Sequence, residues 1–110
     1  MPESNERGAL TEAVYYILLS LIQPLHGYGI MQNVSNLSNQ RVNLGSGTLY
    51  GAINTLIDKE WIQHDEHASE GRKKAYVITP LGRDILNQEL IRLNELINNG
   101  NHLLGGVIND

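Results

Sequence analysis

Three glycines in the middle of the chain have the spacing that first suggests chemistry. Gly45, Gly47 and Gly51 lie ahead of and inside an apolar-periodic stretch, GSGTLYGAINTLIDKEW, which runs from residue 45 to residue 61. A glycine-rich segment that opens a helix lets backbone N–H groups approach a phosphate, which the positive end of the helix dipole also favours. The spacing is one residue from a dinucleotide-binding fingerprint. The phosphate therefore belongs either to a nucleotide or to a nucleic-acid backbone.

The surroundings of these glycines argue against a nucleotide. A dinucleotide fingerprint needs a preceding strand in a parallel β-α-β unit and an acidic residue about 20 positions further on. Here a predicted helix and a short link precede the glycines instead. The sequence also lacks Gly-x-Ser-x-Gly, a Gly-Lys-Ser/Thr after the glycines, and His-Glu-x-x-His. We therefore predict that the chain is not an enzyme.

The composition predicts one domain in the cytoplasm. With 110 residues and no cysteine, the chain has the length of a single domain and offers neither disulfides nor thiolate ligands. No apolar run approaches the roughly 20 residues that span a bilayer, and residues 1–8 are polar with both charge signs, unlike a signal peptide. His64 and His67 lie three apart on a predicted strand, which directs them to opposite faces. We expect no metal, no cofactor and no membrane partner.

The charge is unevenly distributed along the chain. The net charge is −4, which by itself argues mildly against a nucleic-acid partner. Residues 41–83 nevertheless carry six cations against five acids, whereas the segments before and after them are acidic. Local fields decide contact with DNA more than the total charge does.

Hydrophobic spacing predicts three helices in the first 60 residues. Thr11 caps a helix that is apolar on more than one face over residues 13–22 and ends at Gln23 and Pro24. A second helix begins near Gly27, and a link with a strand-like pair at residues 42–44 follows it. The third helix runs from Ser46, its predicted cap, to Glu60. Its buried side consists of Leu49, Ile53, Leu56 and Ile57, and Gly47, Gly51, Asn54 and Asp58 lie opposite.

The remaining sequence predicts a β-hairpin and one long helix. Residues 61–79 alternate in polarity around the turn ASEGR, which is typical of a hairpin. Thr79 and Pro80 then form a strong helix start. Four apolar residues of this helix at four-three-four spacing make a seam suited to a partner helix: Leu86, Leu90, Leu93 and Ile97. Gly100 weakens the end of the helix.

This order of elements predicts a mainly α fold with a small β-hairpin, a winged helix-turn-helix followed by a long C-terminal dimerisation helix. We divide the chain into a flexible N-terminal arm (1–9), a winged helix-turn-helix DNA-binding domain (10–79) and a C-terminal dimerisation helix and tail (80–110). The third helix would read the major groove and the hairpin would contact the backbone. The predicted DNA-binding residues are Arg41, Ser46, Gly47, Thr48, Tyr50, Asn54, Arg72, Lys73 and Lys74.

The sequence resembles the PadR family of bacterial transcription regulators, in its short-tailed branch with a single C-terminal helix. The resemblance covers residues 10–90 and rests on YYILLSL (15–21), HGYGIM (26–31), SGTLYGAINTL (46–56) and GRKKAYVITPLGRDIL (71–86). It implies a homodimer built through the first and last helices, a palindromic double-stranded operator, and a response to a small molecule. One departure from the family is Trp61, at a position after the recognition helix where we expect many members to have glycine.

We therefore expect a homodimeric repressor that a small hydrophobic or aromatic effector releases from DNA. The alternative is a dimeric ligand-binding or protein-interaction module of the same fold without DNA binding, which the weak basic balance motivates. Predicted dimer contacts are Tyr15, Leu18, Leu19, Leu86, Leu90, Leu93 and Ile97. Predicted effector contacts are Tyr15, Tyr16 and Trp61, although aromatic residues at such spacings more often belong to a core.

Overall fold

The computed structural model describes residues 8–105, which fold into four helices and a three-stranded antiparallel sheet. Most of the predicted N-terminal arm and the last five residues lie outside this range. The helices are α1 (Glu12–Ser20), α2 (Gly27–Leu37), α3 (Ser46–Asp58) and α4 (Pro80–Leu103). The strands are β1 (Leu25–His26), β2 (Ile62–Glu70) and β3 (Lys73–Ile78). The predicted order of helices and hairpin is confirmed.

The sheet contains a strand that the sequence analysis missed. β1 pairs with β3 through Leu25 opposite Tyr76 and His26 opposite Ala75, which makes β3 the central strand. The predicted strand-like pair at residues 42–44 is wrong, because those residues form no strand. A strand of two residues is too short to show a period in the sequence, and β1 forms by pairing with the edge of β3 that β2 leaves open.

A single core joins the helices to the sheet. It contains Ile17, Leu18 and Leu21 from the first helix and its end, with Ile30, Val34, Leu49, Ile53, Leu56, Ile62, Tyr76, Ile78, Ile85 and Leu86. The predicted buried side of α3 is confirmed for Leu49, Ile53 and Leu56, which are at most 2% exposed. Leu18 and Leu86 were predicted as dimer contacts, but both are buried in the chain's own core.

The helix ends differ in how they are closed. Thr11 accepts a hydrogen bond from the N–H of Val14, and Thr79 accepts one from the N–H of Gly82, so both predicted caps are confirmed. Ser46 was predicted to cap α3, and this is wrong: Ser46 is the first helical residue, and Gly45 takes the cap position without a side-chain bond. His26 takes the cap position of α2, also without a side-chain hydrogen bond.

The end of α3 shows which residue stands where a helix usually places glycine. Glu60 donates its N–H to the carbonyl of Ile57, and Trp61 donates to that of Leu56. This pair of bonds is the Schellman arrangement, which favours glycine at its left-handed position. That position is Glu60, with φ of 65°, and not Trp61. The position after α3 at which this backbone favours glycine is therefore Glu60.

Helix α4 begins on a junction made by Thr79. Its hydroxyl lies 2.7 Å from the carbonyl oxygen of Glu60 and 3.0 Å from that of Trp61, and its N–H donates to the Trp61 carbonyl at 3.0 Å. Gly82 packs so closely here that a Cβ would overlap the carbonyl oxygen of Trp61 and lie 2.7 Å from Cγ1 of Ile78. From this junction α4 continues without a break past Gly100 to Leu103.

Replacing Glu60 with glycine should stabilise the protein. A left-handed conformation costs an L-residue about 1–2 kcal/mol, whereas glycine loses about 0.5–1 kcal/mol more backbone entropy on folding. We expect Glu60→Gly to raise the free energy of unfolding by about 0.5–1 kcal/mol in urea titrations. Lys59→Gly is the matched control, because Lys59 has φ of −81° and gains nothing from glycine. Equal effects of the two substitutions, or a loss of stability in Glu60→Gly, would contradict the strain at Glu60.

Two glycines of α4 should respond to alanine in opposite directions. Gly82→Ala forces a methyl group against the Trp61 carbonyl, and we expect a loss of about 1–3 kcal/mol in the free energy of unfolding. Nothing lies within 4 Å of a Cβ at Gly100, an exposed position inside the same helix. Gly100→Ala should therefore gain about 1 kcal/mol from helix propensity alone. Chemical denaturation at one protein concentration measures both, and a tolerated Gly82→Ala would show that the junction can open.

Candidate nucleic-acid interface

A wide groove lies between the start of α2, one residue of α3 and the strand β3. Its volume is about 640 Å³. The lining residues are His26, Gly27, Tyr28, Gly29, Tyr50, Arg72, Lys73, Lys74 and Tyr76. The groove therefore brings together four predicted DNA-binding residues from two separate elements: Tyr50 of the third helix and the cations at positions 72, 73 and 74. We call it the wing groove.

Pairing of β1 with β3 positions the two sides of the wing groove. The register places His26 opposite Ala75, so the first turn of α2 lies beside the basic end of β3. No side-chain hydrogen bond caps α2, and the first turn of this helix lines the same groove as the three cations. All three cations are exposed. An anion in this groove would meet favourable charge from both walls.

Tyr50 extends from α3 across the floor of the wing groove. A Cβ on Gly27 would overlap the hydroxyl of Tyr50 and lie 2.8 Å from its Cζ, so a side chain at position 27 would displace the end of this phenol ring. The hydroxyl end of the ring therefore rests on the first residue of α2. This contact fixes the direction of a side chain that is still 41% exposed.

The groove also contains hydrogen-bonding groups that can serve an anion. Burial raises the pKa of Tyr76 above its ordinary value, with Tyr50 adding to the shift, so the Tyr76 phenol stays protonated at neutral pH. The Nε2 atom of His26 is buried and has no hydrogen-bond partner among residues 8–105. The Tyr28 hydroxyl accepts a hydrogen bond from Gln32 at 3.2 Å and is otherwise at the surface. The sequence analysis missed both Tyr28 and His26 as interface residues.

Comparison with known proteins identifies the family. The PadR-like family of transcriptional regulators matches residues 17–88. The chain belongs to this family. It is 31% identical over 84 residues to protein X of Lysinibacillus sphaericus, covering 74% of this chain and 75% of that protein. It is 39% identical over 66 residues to a 37.1 kDa protein of transposon TN4556 from Streptomyces fradiae, but spans only 18% of that protein's length.

Solved structures support the same assignment. A transcriptional regulator from Clostridium thermocellum aligns over 91% of this chain and 96% of its own, with 26% identity and a TM-score of 0.66. Bacillus subtilis PadR in complex with operator DNA aligns over 71% of this chain and 46% of its own, with 25% identity and a TM-score of 0.57. The winged helix-turn-helix fold with a C-terminal helix is thereby confirmed. PadR-like regulators are not enzymes, as predicted.

The other predicted DNA-binding residues of this PadR-like chain lie outside the wing groove. Ser46, Gly47, Thr48 and Asn54 are exposed along α3. Arg41 is also exposed, but its guanidinium is paired with the carboxylate of Glu12 on α1. A DNA contact by Arg41 would therefore have to replace this ion pair, which an exposed site holds weakly.

The predicted dimer residues lie on α1 and α4. Beyond Glu89, α4 contains no fully buried residue in its described part, yet it carries several large apolar side chains. Leu90 is 43% exposed and Ile97 is 58% exposed. The other large apolar side chains that are exposed toward the end of α4 are Ile91, Leu96, Leu103 and Leu104. Leu93, Tyr15 and Leu19 are half-buried.

The three predicted effector residues do not share one cavity. Trp61 lines a cavity between α1 and α3, and neither Tyr15 nor Tyr16 is among the residues that line it. The rings of Tyr15 and Tyr16 contact each other, with centroids 5.8 Å apart. Burial raises the pKa of Tyr15, and Tyr16 and Glu89 add to the shift.

Proposed function

We propose that this PadR-like chain is a homodimeric, cytoplasmic repressor that binds a palindromic operator and is released by a small hydrophobic or aromatic effector. The observation that carries DNA binding is the wing groove, in which an uncapped helix start, Tyr50 and three exposed cations converge. DNA phosphates suit this groove because cations, backbone N–H groups and phenol hydroxyls all stabilise phosphate oxygens. In this proposal α3 occupies the major groove and β2–β3 follow the adjacent backbone.

The apolar face of α4 supports the dimer. A helix that exposes Leu90 and Ile97 on one side in water needs a partner for that face. A second copy supplies the same face, and a two-fold dimer presents two recognition helices to the two halves of a palindrome. Leu93 and Ile97 continue the seam, together with Tyr15 and Leu19 of α1. Leu18 and Leu86 belong to the chain's own core, and Leu86 also lines a surface groove with Leu19 and Leu90.

Operator binding should depend on salt through the wing lysines. We expect the chain to bind a labelled fragment from upstream of its own gene as two copies per duplex, measured by fluorescence anisotropy and sedimentation. Replacing Lys73 and Lys74 together with alanine should lower the slope of log affinity against log salt by about 0.9 per lost phosphate contact, measured between about 50 and 200 mM salt.

Lys59→Ala is the control for the wing lysines, because it removes one positive charge at the far end of α3. Its salt slope should equal that of the unchanged chain. An unchanged slope of log affinity against log salt in the double wing variant would show that Lys73 and Lys74 do not contact DNA phosphates. Failure to bind any upstream duplex or heparin at low salt would instead favour the ligand-binding or protein-interaction module without DNA binding.

Gly27 should affect DNA binding only through Tyr50. Gly27→Ala pushes the phenol away from the start of α2, so we expect operator affinity to fall about two- to tenfold, the value of one hydrogen bond. Gly29→Ala is the matched control: it adds the same methyl group to the same turn, but against Leu25. In a Tyr50→Phe background the effect of Gly27→Ala should largely disappear. An undiminished effect there would show that Gly27 contacts DNA without Tyr50.

A further inference from the structure

A second cavity lies on the side of α3 near its C-terminal end, away from the wing groove. Its volume is about 310 Å³, at the small end of the range for ligand sites. The start of α1 forms one wall, the second half of α3 forms the other, and Trp61 completes it. The apolar lining consists of Leu10, Val14, Ala52, Leu56 and the Trp61 ring. We call it the Trp61 cavity.

The charge at the mouth of the Trp61 cavity has one sign. Of the eight described residues that line it, Lys59 alone is charged, and its Nζ lies 5.2 Å from the centroid of the Trp61 ring. Glu12, which follows the lining residue Thr11, is occupied by Arg41. An apolar space with an exposed ammonium group at its edge fits a molecule with an apolar body and one negative group.

We propose that the Trp61 cavity binds a small aliphatic monocarboxylate, with the alkyl chain between α1 and α3 and the carboxylate on Lys59. Occupancy would alter the position of α3 and thereby weaken operator binding; this regulatory part rests on the proposed function. The aliphatic preference follows from the four aliphatic side chains of the lining. Recognition of the carboxylate follows from Lys59.

The walls of the cavity connect it to the two helices that matter for DNA binding. The N–H of Leu10 donates to Oε2 of Glu89 at 3.1 Å, and Glu89 is 2% exposed on α4, which ties this wall to the proposed dimer helix. The opposite wall is α3 itself. A ligand that prefers a wider separation of these walls moves the recognition helix relative to the dimer helix, and so changes the spacing of two recognition helices.

The side chain of Trp61 is placed to report occupancy. Its carbonyl accepts a hydrogen bond from the N–H of Thr79 and lies 3.0 Å from the Thr79 hydroxyl, and the residue lines the cavity. Trp61 is the only tryptophan of the chain, so intrinsic fluorescence reads this site alone. The experiment titrates the full chain, without DNA, with n-octanoate, 1-octanol or n-octylamine below their micelle concentrations.

We expect octanoate to shift Trp61 emission to shorter wavelength and to saturate. The neutral and cationic probes should bind about two- to fivefold more weakly, the value of one exposed ion pair. Lys59→Gln should abolish this preference, whereas Lys73→Gln, which removes the same charge from the wing, should keep it. Equal binding of octylamine and octanoate would overturn carboxylate recognition.

Two filling variants test whether the cavity itself is the site. Ala52→Met and Thr55→Met each add volume to the lining, and Thr55 is exposed, so its substitution leaves the core intact. Both variants should abolish the saturable change in Trp61 emission while circular dichroism stays that of a folded chain. A saturable change that survives in both folded variants would place octanoate elsewhere and overturn the site.

A separate measurement distinguishes failure of this inference from failure of the proposed function. Operator anisotropy without octanoate tests DNA binding alone. Saturating octanoate should lower operator affinity at least about fivefold in the unchanged chain, and should leave it unaltered in Thr55→Met. Normal operator binding with no response of Trp61 to octanoate would overturn the cavity proposal alone. Occupancy without any change in operator affinity would overturn its regulatory part.

Discussion

The junction at Thr79 holds together α3, the β-hairpin and α4. Its hydroxyl and its N–H lie within hydrogen-bond distance of the Glu60 and Trp61 carbonyls, between the end of α3 and the start of β2. The same hydroxyl accepts a hydrogen bond from the N–H of Gly82 and so caps α4. The recognition helix, the wing and the proposed dimer helix therefore meet at one cluster of hydrogen bonds. Gly82 is required because the α4 backbone lies directly on the Trp61 carbonyl. Because these hydrogen bonds are partly buried, they couple the position of α3 to that of α4.

This constraint gives the two ends of α3 different properties. The C-terminal end is closed by the Schellman bonds of Glu60 and Trp61, so it transmits movement to the junction. The N-terminal end is uncapped, and Tyr50 in its second turn rests on Gly27 of α2. A charge of −4 is compatible with an anionic partner in this geometry, because three exposed cations line the same groove as Tyr50. Local placement of charge outweighs the total.

Local signals in the sequence were sufficient for the helices, the hairpin and the cap at Thr79, because each depends on spacing or on residues adjacent in the chain. β1 could not be predicted, since a two-residue strand has no period and depends on β3, which lies about fifty residues later. Tyr28 and His26 were missed because only the pairing of β1 with β3 brings α2 to the wing. Leu18 was assigned to the dimer because a helix apolar on several faces does not reveal which face packs into the chain's own core, and Leu86 because it begins the apolar seam of the last helix.

In the proposed complex with DNA, a capping side chain and a phosphate would compete for the same backbone N–H groups at a helix start. Thr11 and Thr79 cap α1 and α4, whereas α2 and α3 begin at His26 and Gly45 with no side-chain cap. A missing cap forgoes about 1 kcal/mol of helix stability. The serine that would cap α3 lies one residue too late, at Ser46. Both uncapped helices belong to the helix-turn-helix, where a capping side chain would occupy the N–H groups that a phosphate needs. α1 and α4 lie outside this motif, where the proposal needs no phosphate contact at the first turn, and both have a threonine at the cap position.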